Sequence, residues 1–582
     1  MNHTRLRMFF VMFFIAFPVV IIVTLVNRNS SFILFKGFSQ GKVQGGLEIA
    51  QNVTNTTNGF ELGGIVQNTT HENLGGKEEN NYDGISSSAC KLIMIFCTKS
   101  TGSKNASFTS STNDSISDRI KLVDGLLASG YDEASCISRV ESHLYRKVSP
   151  HKPSPYLISK LRNYEEIHRR CGPYGRTYHR SMRNIAHSKK NGATTMCKYL
   201  IWTPANGLGN QMISIVATFL YAILTDRVLL VKFGKDKHGL FCEPFLNSTW
   251  ILPINFPFWN GKHIETYEIM LKKERARNSK QDLPSVLFIN LQHKRNGPEK
   301  FFHCDHSQDL LRNVPLLILQ SDQYFVPSLI MTPFFNMEIT KMFPEKDTIF
   351  HHLGRYLFHP SNDTWRLISR FYEAHLAKAN ERVGLQIRVF NPASTPQQAI
   401  MDLVLNCTIE HKLLPELSFQ TSVSPKNQTV KVVLVTSLHP EYGHNLQNMY
   451  LKKPTVTGEI IHVYQPSHEE HQKFNDNMHN TKAWIEMYLL SLSDVLVTTS
   501  LSTFGYVAQG LGNLKPWLLY RLVKNKTHFP SCERDFSLEP CFHTPPKHHC
   551  NGNPIKDYVS SFPYLRKCKD YGFGFKLVNG SI

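Results

Sequence analysis

The chain has 582 residues, a mass of 66.7 kDa and a formal net charge of +19, and 41% of its residues are hydrophobic. This length exceeds one compact domain and the hydrophobic content can fill real cores, so we expect two packed lobes with extensions. The basic charge is compatible with nucleic acid, an acidic glycan, a membrane surface or an anionic small substrate. No run of Lys and Arg with interleaved aromatic residues occurs, so nothing supports nucleic acid, and a diffusely basic surface is the simpler interpretation.

The N-terminus carries an uncharged apolar run at residues 8–26, about the 20 residues needed to cross a bilayer core. Bulky side chains continue to its end and no small-residue cleavage pattern follows. We therefore predict a single-pass anchor, with a cleaved signal peptide as the alternative. Arg5 and Arg7 precede the run, so residues 1–7 are predicted to be a cytosolic tail of a type II protein, although Arg28 follows on the far side.

Residues 27–117 are rich in Gly, Asn, Ser and Thr and have little hydrophobic periodicity, which predicts a flexible lumenal stem. Acceptor motifs for N-glycosylation, N-x-[ST], recur from Asn29 to Asn579 and are concentrated in this stem. Both features predict that the rest of the chain lies in the secretory lumen.

The twelve cysteines suit an oxidising compartment. Four of them crowd the C-terminal tail near several histidines: Cys532, Cys541, Cys550 and Cys568. A zinc site would require a C-x2-4-C pair, which the tail lacks. We therefore predict disulfides there and leave their pairing open.

Beyond residue 118, short β-branched runs alternate with helical periodicity, as in parallel sheets covered by helices. We predict an α/β fold of two Rossmann-like lobes facing a cleft, residues 118–370 and 371–582. Predicted strands are Lys198–Trp202, Arg227–Val231, Val383–Phe390, Val430–Leu438, Glu459–Gln465 and Asp494–Ser500; predicted helices are Met212–Leu224, Gln397–Leu405, Thr481–Leu492 and Ser502–Gly512.

A glycine-rich turn joins the first predicted strand to the first predicted helix. Its residues are Gly207, Leu208, Gly209 and Asn210. Such a turn lets backbone N–H groups approach an anionic ligand at a helix N-terminus. It lacks the third glycine of a dinucleotide fingerprint, and no Walker loop occurs, so a tight turn with close helix packing remains the alternative.

Arg388 lies in the apolar predicted strand Val383–Phe390, where an unpaired cation is costly. Its guanidinium therefore needs an anion, either a phosphate or an internal carboxylate. Hydroxyl groups at the ends of other predicted strands could bind phosphate oxygens too, with Ser502 as a helix N-cap: Thr436, Ser437, Ser502 and Thr503. Phe504 and Tyr506 offer stacking surface; a capped helix with nothing bound is the alternative.

Asp322 follows an apolar run and precedes Tyr324. The carboxylate could orient or deprotonate an acceptor hydroxyl, and the aromatic ring could pack on a sugar, unless Asp322 only forms a turn. The histidines in "SHEEHQ" have the wrong spacing for a zinc protease; Ser467 and Glu470 predict a helix capping box instead. No D-x-D pair occurs, so a common metal clamp for a nucleotide diphosphate is missing.

From residue 118 to the C-terminus the chain resembles the plant xyloglucan-type α-1,2-fucosyltransferases. The resemblance is carried by "LLASGYDEASC", "SPYLISKLRNYEEIHRRCGP", "ANGLGNQ", "ILTDRVLLV", "LFCEPFLNSTW", "SDQYFVPSL", "VGLQIRVF", "YQPSHEE" and "STFGYVAQGLGNLKPW". Two positions depart from the family pattern: Gln211 stands where Arg is usual, and Leu501 where Trp is usual.

The resemblance implies an inverting, metal-independent enzyme without a cofactor, with a modified GT-B-like fold and a type II anchor in the Golgi membrane. It would move L-fucose from GDP-fucose to O-2 of galactose in xyloglucan, arabinogalactan or another glycan during cell wall biogenesis. Residues 118–370 would hold the acceptor and residues 371–582 the donor, and a homodimer is a candidate assembly. A catalytically silent Golgi glycan- or nucleotide-binding protein and a protein O-fucosyltransferase are the alternatives.

The resemblance also implies roles for single residues. Arg388 would bind the GDP diphosphate, and Asp322, with Tyr324 nearby, would lie at the acceptor hydroxyl. The turn at residues 207–210 and the segment 502–506, which includes Gly505, would line the donor pocket.

Overall fold

Two mostly parallel β-sheets organise the part of the chain that the computed structural model describes, which confirms the predicted α/β class. The structure describes residues 122–188, 195–261, 264–277, 283–293, 297, 301–418, 429–520, 522 and 530–580, all of which belong to one compact unit.

The first sheet is wholly parallel, in the order β2-β1-β5-β4-β3. Its strands are β1 (Lys198–Thr203), β2 (Arg227–Val231), β3 (Glu265–Thr266), β4 (Val286–Asn290) and β5 (Leu316–Gln320). Nearly all residues of β1, β2 and β5 are buried, as expected of parallel strands covered on both faces.

The second sheet has the order β11-β10-β9-β6-β7-β8, with only β11 antiparallel. Its strands are β6 (Glu381–Ile387), β7 (Val430–Ser437), β8 (Ile460–Tyr464), β9 (Val495–Thr499), β10 (Trp517–Leu519) and β11 (Cys532–Arg534). Counted along the chain from β6, these strands lie in the Rossmann order 3-2-1-4-5-6, whose switch point is between β6 and β9. A hairpin of β12 (Leu565–Lys567) and β13 (Phe575–Leu577) follows.

The α-helices surround both sheets. They are α1 (Ile137–Glu141), α2 (Pro155–Cys171), α3 (Arg176–His187), α4 (Leu208–Leu224), α5 (Tyr267–Arg277), α6 (Asp305–Arg312), α7 (Val326–Ile330), α8 (Pro333–Met342), α9 (Ile349–Leu357), α10 (Asn362–Phe371), α11 (Gln397–Glu410), α12 (Glu441–Lys452), α13 (Asn477–Leu490), α14 (Thr503–Gly512) and α15 (Tyr558–Ser561). A π-helix, Tyr372–Leu376, continues α10, and 3-10 turns lie at Leu122–Gly125, Ser142–Leu144, Lys235–Lys237, Lys346–Thr348 and Pro392–Ser394.

Helix α4 lies in the largest hydrophobic core and contacts α14, α9 and α13. Every residue of α4 from Gln211 to Ile223 is buried. A helix that is apolar all round needs neighbours on every side, which explains why α4 packs against helices that follow strands of both sheets.

The predicted strands and helices are confirmed in type, with three local corrections. Arg388 lies just beyond the end of β6 instead of inside it. No helix begins near Ser467, so the predicted capping box is wrong: Ser467 bonds to Glu486, and Glu470 has a φ of 60°. Ser502 does precede α14 as its N-cap residue, but its side chain makes no capping hydrogen bond.

Five disulfides join the ten cysteines of the described residues, which confirms the predicted use of the cysteines. They are Cys136–Cys242, Cys171–Cys197, Cys304–Cys550, Cys407–Cys532 and Cys541–Cys568. Of the four tail cysteines, only Cys541 and Cys568 pair with each other. The other two tie the tail to segments far earlier in the chain.

The predicted tail, anchor and stem, residues 1–7, 8–26 and 27–117, lie outside the described residues. Within the described ranges, every helix is too short or too polar to span a bilayer. The lobe boundary predicted between residues 370 and 371 falls in the last turn of α10, ahead of β6.

Candidate active site

A cavity of about 580 Å³ opens where the carboxyl ends of strands from both sheets converge. Its wall takes residues that follow β1, β4 and β5 in the first sheet and β6, β7 and β9 in the second. Parallel α/β sheets bind ligands at this edge, and the switch point of the second sheet opens onto the same space. The cavity is therefore the candidate active site.

The two glycines of the turn at residues 207–210 leave room for neighbouring segments to pack closely against the turn. Neither glycine has a positive φ, so backbone conformation does not require glycine here. A Cβ on Gly209 would lie 2.8 Å from Oγ1 of Thr503 and 2.9 Å from its carbonyl carbon; a Cβ on Gly207 would lie 2.5 Å from Nε2 of Gln472. Gly209 thus lets the N-termini of α4 and α14 meet. Neither terminus has a side-chain cap, so their N–H groups remain available to an anion at the cavity.

Arg388 enters the cavity wall from the end of β6. Its backbone N–H donates to Oγ1 of Thr499 (3.0 Å), and its Nη2 donates to Oε1 of Gln472 (3.0 Å). Burial lowers the pKa of the guanidinium, and no acidic group of the described chain opposes that shift. Arg388 is therefore a half-buried cation paired with a neutral amide, free to bind an anion in the cavity.

Asp322 also lines the cavity, and several hydrogen bonds hold it there. Its Oδ1 accepts the backbone N–H of His293 (3.0 Å), and its Oδ2 accepts Nδ2 of Asn206 (2.5 Å) and also contacts Nδ1 of His293. The backbone carbonyl of Asp322 accepts Nδ2 of Asn210 (3.1 Å). The carboxylate side chain is 1% exposed, whereas that of His293 is 43% exposed.

Residues of α13 and the segment before it complete the wall. Lys473 and Lys482 both bond to Glu469 and hold its pKa down at about 2. Burial raises the pKa of Glu486 to about 8, and the Ser467 hydroxyl donates to its Oε1 (2.6 Å). Glu486 is therefore protonated at neutral pH, and this side of the cavity carries net positive charge.

The cavity gathers most of the predicted donor residues. Besides Arg388 and the turn at 207–210, it is lined by Thr436, Ser437, Ser502, Thr503 and Phe504. Oγ1 of Thr436 is buried and makes no hydrogen bond within the described chain.

Three predicted site residues lie elsewhere, because their environment is core. Tyr324 is fully buried and donates to Glu539, so the prediction that it contacts the acceptor is wrong. Tyr506 is buried and donates to Asp570 behind the cavity wall. Gly505 packs against Thr498, where an added Cβ would lie 2.0 Å from Oγ1.

The two departures from the family pattern both border the cavity. Leu501 has a φ of 65°, a strained value for a residue with a side chain, and its N–H donates to Asp570 (3.2 Å). Gln211 donates from Nε2 to the carbonyl of Asn206 (2.7 Å), while its Oε1 is buried without a partner in the described chain. Gln211 thus helps to position Asn206, which in turn donates a hydrogen bond to Asp322.

Sequence reasoning missed several residues of this site: Asn206, His293, Gln472 and Glu486. Asn206 lay one position ahead of the glycine turn, and its φ of 60° suits Asn. Gln472 lay within the quoted "SHEEHQ". No sequence pattern indicates a functional role for His293 or Glu486, because isolated histidines and glutamates on helices are common in any protein.

Among the described residues, two groups of metal-type side chains come together: His303 with Cys304 and Cys550, and Cys541 and Cys568 with Asp570. Both pairs of cysteines are disulfide-bonded and unavailable as ligands. Neither group lines the cavity.

A family model described as xyloglucan fucosyltransferase matches residues 91–551. A galactoside 2-alpha-L-fucosyltransferase of Arabidopsis thaliana is 49% identical over 466 residues, covering 79% of this chain and 83% of that protein. The chain belongs to the xyloglucan fucosyltransferase family. Membership confirms both the predicted family and the enzyme class: the protein is a fucosyltransferase, hence a glycosyltransferase.

Two further similar proteins are fucosyltransferases as well. A galactoside 2-alpha-L-fucosyltransferase of Pisum sativum is 45% identical over 467 residues, covering 79% of this chain and 82% of that protein. A solved structure of an Arabidopsis thaliana FUT1 mutant in complex with GDP is 49% identical, covers 79% of this chain and 100% of its own, and superposes with a TM-score of 0.73. This fucosyltransferase thus shares its fold with that enzyme.

Proposed function

We propose that this fucosyltransferase moves L-fucose from GDP-fucose to O-2 of a galactose residue in a cell-wall polysaccharide or arabinogalactan glycan, with inversion. The cavity is the proposed donor and acceptor site. The observation that carries the proposal is Arg388, a half-buried cation without a carboxylate partner in the described chain, facing the same space as two uncapped helix N-termini.

In the proposed reaction, the acceptor O-2 attacks the anomeric carbon of fucose from the face opposite GDP. The bond between the anomeric carbon and the β-phosphate oxygen breaks, and its electron pair leaves with GDP. Negative charge therefore develops on the diphosphate, where Arg388 and the N–H groups at the starts of α4 and α14 stabilise it. The transition state is oxocarbenium-like, as in glycoside hydrolysis.

We propose that no metal or other cofactor takes part. Each carboxyl group of the cavity wall already has a protein partner: Asp236 bonds to Lys237 and Asn480, Asp322 to Asn206 and His293, Glu469 to two lysines, and Glu486 to Ser467. Protein cations and helix ends then supply the charge that a divalent ion would bring.

We also propose the cellular setting expected from the sequence. Residues 1–7 would be cytosolic, residues 8–26 would anchor the enzyme in the Golgi membrane, and residues 27–117 would hold the catalytic part in the lumen. The two Rossmann-like lobes, residues 118–370 on the acceptor side and 371–582 on the donor side, would form a modified GT-B-like enzyme, with a homodimer as a candidate assembly. The uncharged run at 8–26 and the five disulfides support this setting.

The decisive test gives the purified full-length protein labelled GDP-fucose with xyloglucan, arabinogalactan and peptides. We expect labelled fucose to be attached to galactose residues of a glycan, with one GDP released for each fucose transferred. Arg388→Ala should cost about 2.7–4 kcal/mol of barrier, or roughly 10²–10³ in kcat. Arg180→Ala, at an exposed arginine of α3 outside the cavity, is the matched control.

Transfer only to peptides would point to a protein O-fucosyltransferase. GDP-fucose binding without GDP release, across the whole panel, would point to a catalytically silent protein. Near-normal turnover by the Arg388→Ala variant would refute the diphosphate assignment.

A further inference from the structure

We propose that His293, positioned by Asp322, is the catalytic base that takes the proton of the acceptor hydroxyl. This inference rests on the proposed function, because it assigns the acceptor side of the same reaction. The sequence indicated Asp322 as the candidate base, whereas the structure favours His293, which no sequence pattern indicated.

The first argument is access. Asp322 is 1% exposed at its side chain, and three hydrogen-bonding groups of Asn206 and His293 surround its two oxygens. An incoming sugar hydroxyl would have to displace one of them. His293 contacts this carboxylate, lines the same cavity, and is 43% exposed at its side chain.

The second argument is the tautomer. An ionised carboxylate only accepts hydrogen bonds, so Nδ1 of His293 carries the proton that bonds to Asp322. In the neutral ring Nε2 then holds a lone pair, and within the described chain Nε2 has no hydrogen-bond partner. Nε2 is therefore the one strong proton acceptor of the pair that a ligand can reach.

The third argument is rigidity. The backbone N–H of His293 donates to Oδ1 of Asp322 while its ring bonds to Oδ2, so one carboxylate fixes both ends of the residue. Asn206 and the carbonyl bond from Asn210 hold Asp322 in turn. A base oriented by a buried carboxylate, itself held by further hydrogen bonds, is the arrangement that hydrolases use to activate a hydroxyl.

The proton and electrons balance without another reactant. The acceptor oxygen bonds to the fucose anomeric carbon as the bond to the β-phosphate oxygen breaks with its electron pair. The hydroxyl proton passes to Nε2 of His293, and the resulting imidazolium is stabilised by Asp322. It returns the proton to solvent after GDP and the fucosylated glycan leave.

The test compares His293→Gln and His293→Ala with wild-type full-length protein, using GDP-fucose and the galactosyl glycan that the wild type fucosylates. We expect kcat to fall by about 10²–10⁴ while GDP affinity, measured by calorimetry, changes less than twofold. Free imidazole should restore at least a tenth of the lost activity to His293→Ala, which a merely structural role would not allow. His179→Gln, at an exposed histidine of α3 outside the cavity, is the control.

Positioning by Asp322 has its own readout. Asp322→Asn should lower kcat strongly, and the double variant with His293→Gln should be no slower than the single histidine variant, because the two residues act as one unit. Independent, additive losses would overturn the positioning role.

Activity of His293→Gln within threefold of wild type, or no imidazole rescue of His293→Ala, would overturn the base assignment while leaving the fucosyltransferase itself intact. A wild-type protein that labels no galactosyl glycan would instead overturn the proposed function. The two failures are therefore distinguishable.

Discussion

Gly209 lies where α4 and α14 touch, and replacing it with alanine tests whether that contact builds the donor site. The added Cβ would lie 2.8 Å from Oγ1 of Thr503, 2.9 Å from its carbonyl carbon and 3.0 Å from the backbone nitrogen of Phe504. These contacts are about 0.4–0.6 Å inside the 3.4 Å at which ordinary contact begins. Two of them involve backbone atoms, so rotating the Thr503 side chain cannot relieve them and the helix ends must separate.

Overpacking of this kind costs about 1–3 kcal/mol, and loss of glycine freedom in the unfolded chain returns about 0.4–1 kcal/mol. We therefore expect Gly209→Ala to lower the free energy of unfolding by roughly 1–2 kcal/mol. The effect on catalysis should be larger, because a misplacement of about 1 Å in a catalytic site costs up to about 10²-fold. Thr503→Ala combined with Gly209→Ala should restore little, since the two backbone contacts remain.

The measurements are thermal unfolding, GDP calorimetry and fucose transfer. Gly572→Ala is the matched control, because nothing lies within 4 Å of its added Cβ. We expect the control to bind GDP and turn over like wild type. Wild-type GDP affinity in Gly209→Ala would refute the idea that this contact aligns the donor site.

Two further predictions concern buried groups. Glu486 has its pKa raised from 4.5 to about 8, so the folded protein keeps a proton that the unfolded chain loses, and stability falls as pH rises across that window. Glu486→Gln removes this dependence; its Tm relative to wild type should increase between pH 5 and 8, and a constant difference would contradict the buried, protonated state. Tyr324→Phe leaves Glu539 short of one donor and should cost about 1–3 kcal/mol of stability with an unchanged acceptor KM; a raised KM would restore Tyr324 to the acceptor site.

The elements around the site could be predicted because their signals are local. The strand that becomes β1 and the helix that becomes α4 differ in hydrophobic period. Asp322 follows β5 of the first sheet and Arg388 follows β6 of the second, so each lies at the carboxyl edge of its own sheet, where parallel sheets bind ligands. The requirement for glycine at position 209 could not be predicted from the neighbouring sequence. It depends on Thr503, nearly three hundred residues later.

The remainder of the site depends on tertiary contacts. An aromatic residue after a strand can face a ligand or the core, and Tyr324 faces the core because Glu539 and Phe350 surround it. His293 and Gln472 lie in irregular segments, where no periodicity marks orientation. The assignment of Asp322 as the site carboxylate stays a prediction, but the role suggested for it changes once its partners are seen.

The bond between Cys304 and Cys550 has a consequence for biosynthesis. Its two residues are separated by 246 positions. At roughly 5–20 residues per second, about 12–50 s pass between synthesis of the first thiol and synthesis of the second. If the chain enters the lumen as proposed, Cys304 waits through that interval without its partner, so we expect a thiol isomerase to raise the yield of correctly paired enzyme.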